Sequence, residues 1–221
     1  MLWLALTVAL WLNVSPALQG SQIAPDELAR RIQAKYEQVR DFTADFEHTY
    51  EGGVLRQKVT ERGRVQIKKP GKMRWTYTAP EKKEFVSDGQ KLYAYVPEDK
   101  QVIVSTVPPA DQASSPVLFL AGKGNVLRDF KASDADVAGV KPGEQALKLV
   151  PVTQQEEYDW IVLVVDRASL QIRRLITADT QGGTSSFAFT NLKENVGLPD
   201  KTFAFTIPRG VDVITDGSRS R

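Results

Sequence analysis

Residues 42–50 read FTADFEHTY. In an extended chain, Phe42, Ala44, Phe46, His48 and Tyr50 point to one side, and Thr43, Asp45, Glu47 and Thr49 to the other. This period of two predicts a strand with one aromatic face, and the pattern recurs on both sides of it. Gly63, Val65 and Ile67 alternate with Arg64, Gln66 and Lys68. Lys69, Pro70 and Gly71 then break the run, after which Met73, Trp75 and Tyr77 alternate with Lys72, Arg74, Thr76 and Thr78. Phe85-Val86, the Asp88-Gly89 turn and residues 91–96 predict a hairpin. Residues 101–105, 146–150, 160–165 and 170–177 continue as strands, Gly182-Gly183 marks a turn, and Ser185, Phe187, Phe189 and Asn191 share a face. The last predicted strand is 203–207 (FAFTI), ended by Pro208. Strands spaced in this way, mostly without helices between them, predict an antiparallel sheet or barrel.

Two helices stand outside this pattern. In residues 25–39, PDELARRIQAKYEQV, the apolar positions Leu28, Ile32, Tyr36 and Val39 fall on one helical face. Pro25 suits the first helical turn, and Asp26 and Glu27 complement the helix dipole. Residues 115–121, SPVLFLA, predict a short helix with Ser115 as N-cap, Pro116 at the first position and Gly122 beyond the end. Leu118, Phe119 and Leu120 are too apolar for a surface turn. Either these helices fill the interior of the sheet or the sheet encloses a cavity beneath them. The residue pattern leaves both open.

The composition narrows the function. The chain has 221 residues, with 29 Lys+Arg against 27 Asp+Glu, and this balance argues against nucleic-acid binding. Cysteine is absent and histidine occurs once, which removes disulfides, thiolate chemistry and any His-rich metal centre. No cofactor and no metal is expected. No phosphate-binding glycine loop or nucleophile elbow occurs. A histidine on an aromatic strand face reads as structural, and an enzyme using His48 is the weaker alternative. Glu156, Glu157 and Asp159 read as a solvated loop, and Asp134 with Asp136 lacks the further oxygens a calcium site needs.

Residues 1–12, MLWLALTVALWL, form an apolar run with no charge before Asp26. The run is shorter than the roughly 20 residues a spanning helix needs, and the small residues Ser15, Ala17 and Gly20 follow it. It is expected to be a signal peptide over 1–20, cleaved to leave a single domain over 21–221. A retained anchor or a buried strand is the alternative.

Four segments resemble the LolA family, the periplasmic carriers of outer-membrane lipoproteins. FTADFEHTY (42–50) is similar to the family's F-x-x-x-F strand, and IKKPGKMRWTYTAP (67–80) to its hydrophobic-Lys-Arg-Pro…Phe-x-Trp segment. FVSDGQKLYAYVP (85–97) resembles its V-S-D-G-x-x-L-W-x-Y-x-P hairpin, and FAFTIPRGVDV (203–213) its closing F-x-F-x-P-P-x-G-V strand. They occur in register over about residues 25–215.

The resemblance implies a mainly β fold, an unclosed antiparallel barrel with α-helices as a lid over an apolar cavity that holds lipoprotein acyl chains. It implies a periplasmic chaperone, a monomer without catalysis. Such a carrier takes lipoproteins from an inner-membrane LolCDE-type ABC transporter and passes them to a LolB-type outer-membrane acceptor. A binding module for another lipid is the alternative within the same fold. The expected acyl-chain contacts are Phe46, Met73, Trp75, Tyr77, Leu118 and Phe119. Lys69 stands where the family has its lid-holding Arg, and it is expected to donate to carbonyls ending a lid helix, with 115–121 as the candidate. Lysine is a flexible point charge where arginine is a rigid fork, so the latch is expected to be less specific. Met73 replaces an aromatic residue of the family, and its flexibility suits varied chains.

The protein purified from the periplasm is expected to begin between Leu18 and Gln22, as read by N-terminal sequencing. An intact Met1 in the membrane fraction would count against a freely diffusing carrier.

Overall fold

The computed structural model describes residues 22–52, 57–107, 120 and 125–215. Helix α1 spans Pro25–Gln38 and buries Leu28, Ala29, Ile32 and Tyr36, the face expected from its period. The strands follow as β1 (Asp41–Glu51), β2 (Lys58–Lys68), β3 (Lys72–Ala79), β4 (Lys83–Asp88), β5 (Lys91–Val96) and β6 (Gln101–Thr106). A one-turn helix, α2 (Val126–Asp129), leads into β7 (Phe130–Asp134), β8 (Glu144–Pro151), β9 (Trp160–Asp166), β10 (Ile172–Ala178) and β11 (Thr184–Glu194). A 3-10 turn, Asp200–Phe203, precedes β12 (Asp212–Thr215).

The twelve strands form one sheet in the order β12-β6-β5-β4-β3-β2-β1-β11-β10-β9-β8-β7. The two end strands, β12 and β7, do not pair with each other, so the sheet stays open, as expected for an unclosed barrel. The fold is mainly β. The long-range step in the order is β1 beside β11, with Phe46 opposite Phe189 and His48 opposite Phe187.

Three expectations need correction. Residues 203–207 are not a strand. Phe203 is buried at the end of the 3-10 turn, Ala204 is exposed with extended dihedrals, Phe205 is half-buried, and Thr206 and Ile207 are both exposed, so the alternation is followed only at first. The segment crosses the outer face of the sheet instead of joining its edge, and period two reports a two-sided extended chain, not its hydrogen-bond partners. The closing strand is β12, and it pairs with β6 in parallel, not antiparallel, because the chain reaches that edge after the crossing. Strand β7 is absent from the sequence pattern: FKASD is short and largely polar, and it lies at the sheet edge. Residues 1–20 and most of 115–121 lie outside the described residues; Leu120 is helical and buried.

The outer face is less polar than the alternation implies, and two crossing segments cover it. Arg74 on β3 holds the 200–204 segment: Nε donates to the Thr202 carbonyl at 2.7 Å and Nη2 to the Ala204 carbonyl at 2.8 Å. Its Nη1 meets Glu84 at 3.0 Å. Phe205 stacks on Tyr93 at 5.2 Å beyond this clamp. At the start of the crossing, the buried Asp41 carboxylate accepts the backbone N–H of Val196, Gly197 and Leu198 at 2.7–3.3 Å. On the other half, Ala135, Val137 and Val140 cover Ala146, Val162 and Val164. This explains why β9 is buried at five successive positions, both faces together.

The main core lies between the inner face and α1. Gln145 ties the segment before the helix to β8, accepting the Ile23 N–H at 2.9 Å and donating to the Ile23 carbonyl at 2.6 Å. Gly63 lets the inner face close on itself. A Cβ there would lie 2.1 Å from the Thr76 carbonyl oxygen and 2.7 Å from the Phe46 ring. Gly63→Ala is therefore expected to destabilise the fold by roughly 2–3 kcal/mol, because the backbone of β3 must shift. Urea unfolding reads this directly, and an unchanged midpoint would show that β3 moves away freely.

Candidate binding site: the aromatic interior and its rim

Phe46, Met73, Trp75 and Tyr77 meet in one buried cluster on the inner face, each 3–6% exposed. The alternation of β1 and β3 places them there, and the ladders through β2 bring the two strands into register. Phe46 is the centre, with ring centroids 5.1 Å from Trp75, 4.8 Å from Tyr77 and 6.0 Å from Phe187. Edge-to-face and tilted pairs of this kind are favourable beyond their burial. Leu118 and Phe119 lie outside the described residues.

Phe187, Phe189 and Phe85 complete this aromatic wall, and reasoning from sequence did not single them out as site residues. Their alternation was visible. The pairing of β11 with β1 was not, because it joins segments more than a hundred residues apart. Across the interior, Leu147, Leu149, Ile161, Leu163 and Leu175 from β8, β9 and β10 belong to the same core cluster and form an aliphatic wall. Leu28, Ile32 and Tyr36 of α1 close it from above.

A polar network bounds the aromatic wall at one end. His48 Nδ1 lies 3.0 Å from Glu61 Oε2, and Nε2 lies 2.8 Å from Ser185 Oγ. Lys83 Nζ meets the other Glu61 oxygen at 2.5 Å and stands 4.5 Å from the centre of the Tyr77 ring. Burial pulls the His48 pKa below its usual value, against the opposing effect of Glu61. Burial pushes the Glu61 carboxyl up, but the Lys83 and His48 hydrogen bonds outweigh it and hold the pKa below the usual carboxylate range. His48 also stacks on Phe187 at 4.1 Å. Both its ring nitrogens are thus engaged in structure, which is the role its strand position implies.

Lys69 sits at the rim, between β2 and β3. Its Nζ donates to the carbonyl of Tyr36, and its backbone N–H donates to the Arg40 carbonyl at 2.8 Å. The helix end that it holds is therefore that of α1; the expectation had named 115–121 as the candidate. A cation is favoured there because the last carbonyls of a helix lack intrahelical partners. Nζ also lies 5.4 Å from the centre of the Tyr36 ring. Burial pulls the Lys69 pKa below the usual lysine value, and Glu37 opposes this. A second tie to the same helix is the Lys35–Glu194 pair at 2.6 Å, which fastens α1 to β11. A separate depression of about 370 Å³ lies between α1, α2 and β7, lined by Asp26, Ala29, Val126, Leu127 and Phe130 among others; it includes none of the expected acyl-chain contacts and not Lys69.

The model of the family described as outer membrane lipoprotein carrier protein LolA matches residues 37–206. A relative from Chromohalobacter salexigens, named outer-membrane lipoprotein carrier protein, is 30% identical over 95% of this chain and 97% of its own. One of the same name from Nitrosomonas europaea is 32% identical over 70% of this chain and 72% of its own. The crystal structure of an uncharacterized conserved protein from Thermus thermophilus shares the fold at a TM-score of 0.53 and 15% identity, covering 85% of this chain and 98% of that one. The matched stretch contains β1 through β11, with the aromatic interior and the Lys69 rim that the motifs pointed to. By that match, this chain belongs to the LolA family of outer membrane lipoprotein carrier proteins.

Proposed function

We propose that this protein is a periplasmic chaperone that holds the acyl chains of lipoproteins in its apolar interior. It receives them from an inner-membrane LolCDE-type ABC transporter and delivers them to a LolB-type outer-membrane acceptor. It works as a single domain over residues 21–221, after removal of the leader, and catalyses no reaction. The observation that carries this reading is the interior itself: an aromatic and an aliphatic wall in one core cluster, covered by a helix whose end an ammonium holds. Phe46, Met73, Trp75 and Tyr77, with Leu118 and Phe119, are the acyl-chain contacts.

The energetics suit a carrier. Ten buried methylenes contribute about 8 kcal/mol, so lipid chains do not cross water unaided at a useful rate. The same magnitude makes release the difficult step. A cover held partly by polar contacts at its rim opens at modest cost and leaves the chains to the acceptor. Lys69 is the latch in this scheme.

An environment-sensitive apolar dye is expected to bind the purified protein at one class of sites and to be displaced by a lipoprotein. Absence of dye binding, with the interior packed solid by side chains, would remove the carrier reading. Lys69→Leu is expected to fold with a loss of about 1 kcal/mol, the scale of a cation at a helix C-terminus. It should load cargo but deliver it several-fold more slowly in a carrier-to-acceptor transfer assay, while Lys69→Arg should deliver at least as well as wild type. Normal transfer by the Leu variant would show that Lys69 is not the latch.

A further inference from the structure

Trp75 carries the one feature of the aromatic wall that its packing does not explain. The residue is 3% exposed, and its indole Nε1 is buried with no hydrogen-bond acceptor among the described residues. Its nearest ring neighbours are Phe46 at 5.1 Å, Phe187 at 5.2 Å and Phe189 at 6.3 Å between centroids. Its cross-strand partners on β2 and β4 are Val65 and Phe85. None of these side chains accepts a hydrogen bond. An indole N–H is a donor only and has no alternative role to adopt. Buried polar groups are nearly always paired, and those left unpaired in a native fold call for an explanation.

Hydrocarbon cannot satisfy this donor, so the methylene part of an acyl chain gives it nothing. Every acyl chain, however, begins with a carbonyl oxygen, whether its linkage is an ester or an amide. Trp75 is also placed for the head of a chain. It lies three residues into β3, about 10 Å along the strand from Lys72 beside the Lys69–Pro70 turn, and it shares one core cluster with the aliphatic side chains of β8–β10, against which methylenes can pack. We propose that the Trp75 indole N–H donates to the carbonyl oxygen at the head of a cargo acyl chain, so that the carrier recognises acyl linkages and discriminates against alkyl ethers. The proposal rests on the carrier reading above. The selectivity arises from the protein's side: an ether-linked chain fills the same apolar volume but leaves the donor buried and unpaired, which an acyl chain does not.

The test uses two synthetic lipopeptides, identical except that one carries two ester-linked palmitoyl chains and the other the matching ether-linked chains. The mature wild-type chain is expected to bind the ester probe about tenfold more tightly, the size of one buried hydrogen bond left unmade. Trp75→Phe keeps an aromatic ring and removes the N–H; it should bring the two affinities together, and the ratio of ester to ether binding is the quantity read. In wild-type protein labelled with ¹⁵N at the indole nitrogens, the Trp75 N–H resonance should move downfield with the ester probe and not with the ether probe. This readout needs no variant to fold. Equal affinity of wild type for both probes, or an ester preference that survives in Trp75→Phe, would overturn the proposal while the carrier reading stands. Failure of both probes to bind would remove the carrier reading and this inference with it.

Discussion

The Phe46 ring occupies the space that a side chain at position 63 would need, and the aromatic interior is arranged around that contact. Phe46 faces Gly63 across the β1–β2 ladder and lies within ring-contact distance of Trp75, Tyr77 and Phe187, which come from β3 and β11. One ring therefore joins strands on both sides of β1. Without the glycine, the ring would lift away from β2 and the pairs beyond it would lose their geometry. The wall ends where the same face of β1 turns polar: His48 stacks on Phe187 and passes to Glu61, Lys83 and Ser185. Charged groups half-buried against rings are tolerated here because each member is paired. The network thus sets a chemical boundary to the apolar interior as well as a packing one.

An open sheet of twelve strands has two faces to cover and two edges to protect, and the chain meets these demands with segments outside the ladder. The inner face takes α1. The outer face takes the 135–140 segment over β8–β10 and the 200–205 segment over β3–β5. The second of these is held by backbone carbonyls on the Arg74 fork, a planar donor suited to two acceptors at once. Its start is fixed by Asp41, the residue that also opens β1. The outside of the sheet is therefore tied to the beginning of the strand that organises the inside.

How far the sequence could be read depended on how far apart the interacting residues lie. The α1 helix and the strands from β1 to β6 follow from local alternation, since each side chain's face is fixed by its own neighbours. Phe46, Met73, Trp75 and Tyr77 were legible for that reason, and their meeting required only hairpin-like ladders. Phe187 and Phe189 were legible as one face of a strand, but not as part of the same wall, because the β1–β11 pairing carries no local signal. The FAFTI segment misled for the converse reason: its alternation matches a strand, yet its partners are the Arg74 side chain and the Tyr93 and Tyr95 rings, not a neighbouring ladder. Lys69 was placed at a rim by the turn around Pro70 and by family resemblance, but which helix it holds depends on the packing of α1 over the sheet. The orphaned Trp75 nitrogen could not be read from sequence at all, since it is defined by what its neighbours lack.

The magnitudes also constrain how such a cover can open. Lifting α1 entirely would expose Leu28, Ile32 and Tyr36; for the two aliphatic side chains alone the cost is about 1.5–3 kcal/mol each. It would also break the Lys35–Glu194 pair and the Gln145 ties at Ile23. The Lys69 contact contributes about 1 kcal/mol by comparison. The ammonium therefore does not hold the helix down; burial does. Lys69 touches only the C-terminal turn of α1, through the Tyr36 carbonyl, and its contribution is confined to that turn. Under the proposed carrier function, exchange of cargo proceeds without exposing the whole interior, because each stretch of helix face that lifts is replaced by methylenes contributing about 0.8 kcal/mol apiece. The net cost of loading stays small only if helix face and acyl chain compete for the same apolar surface, and a single core cluster shared by α1 and both walls meets that condition.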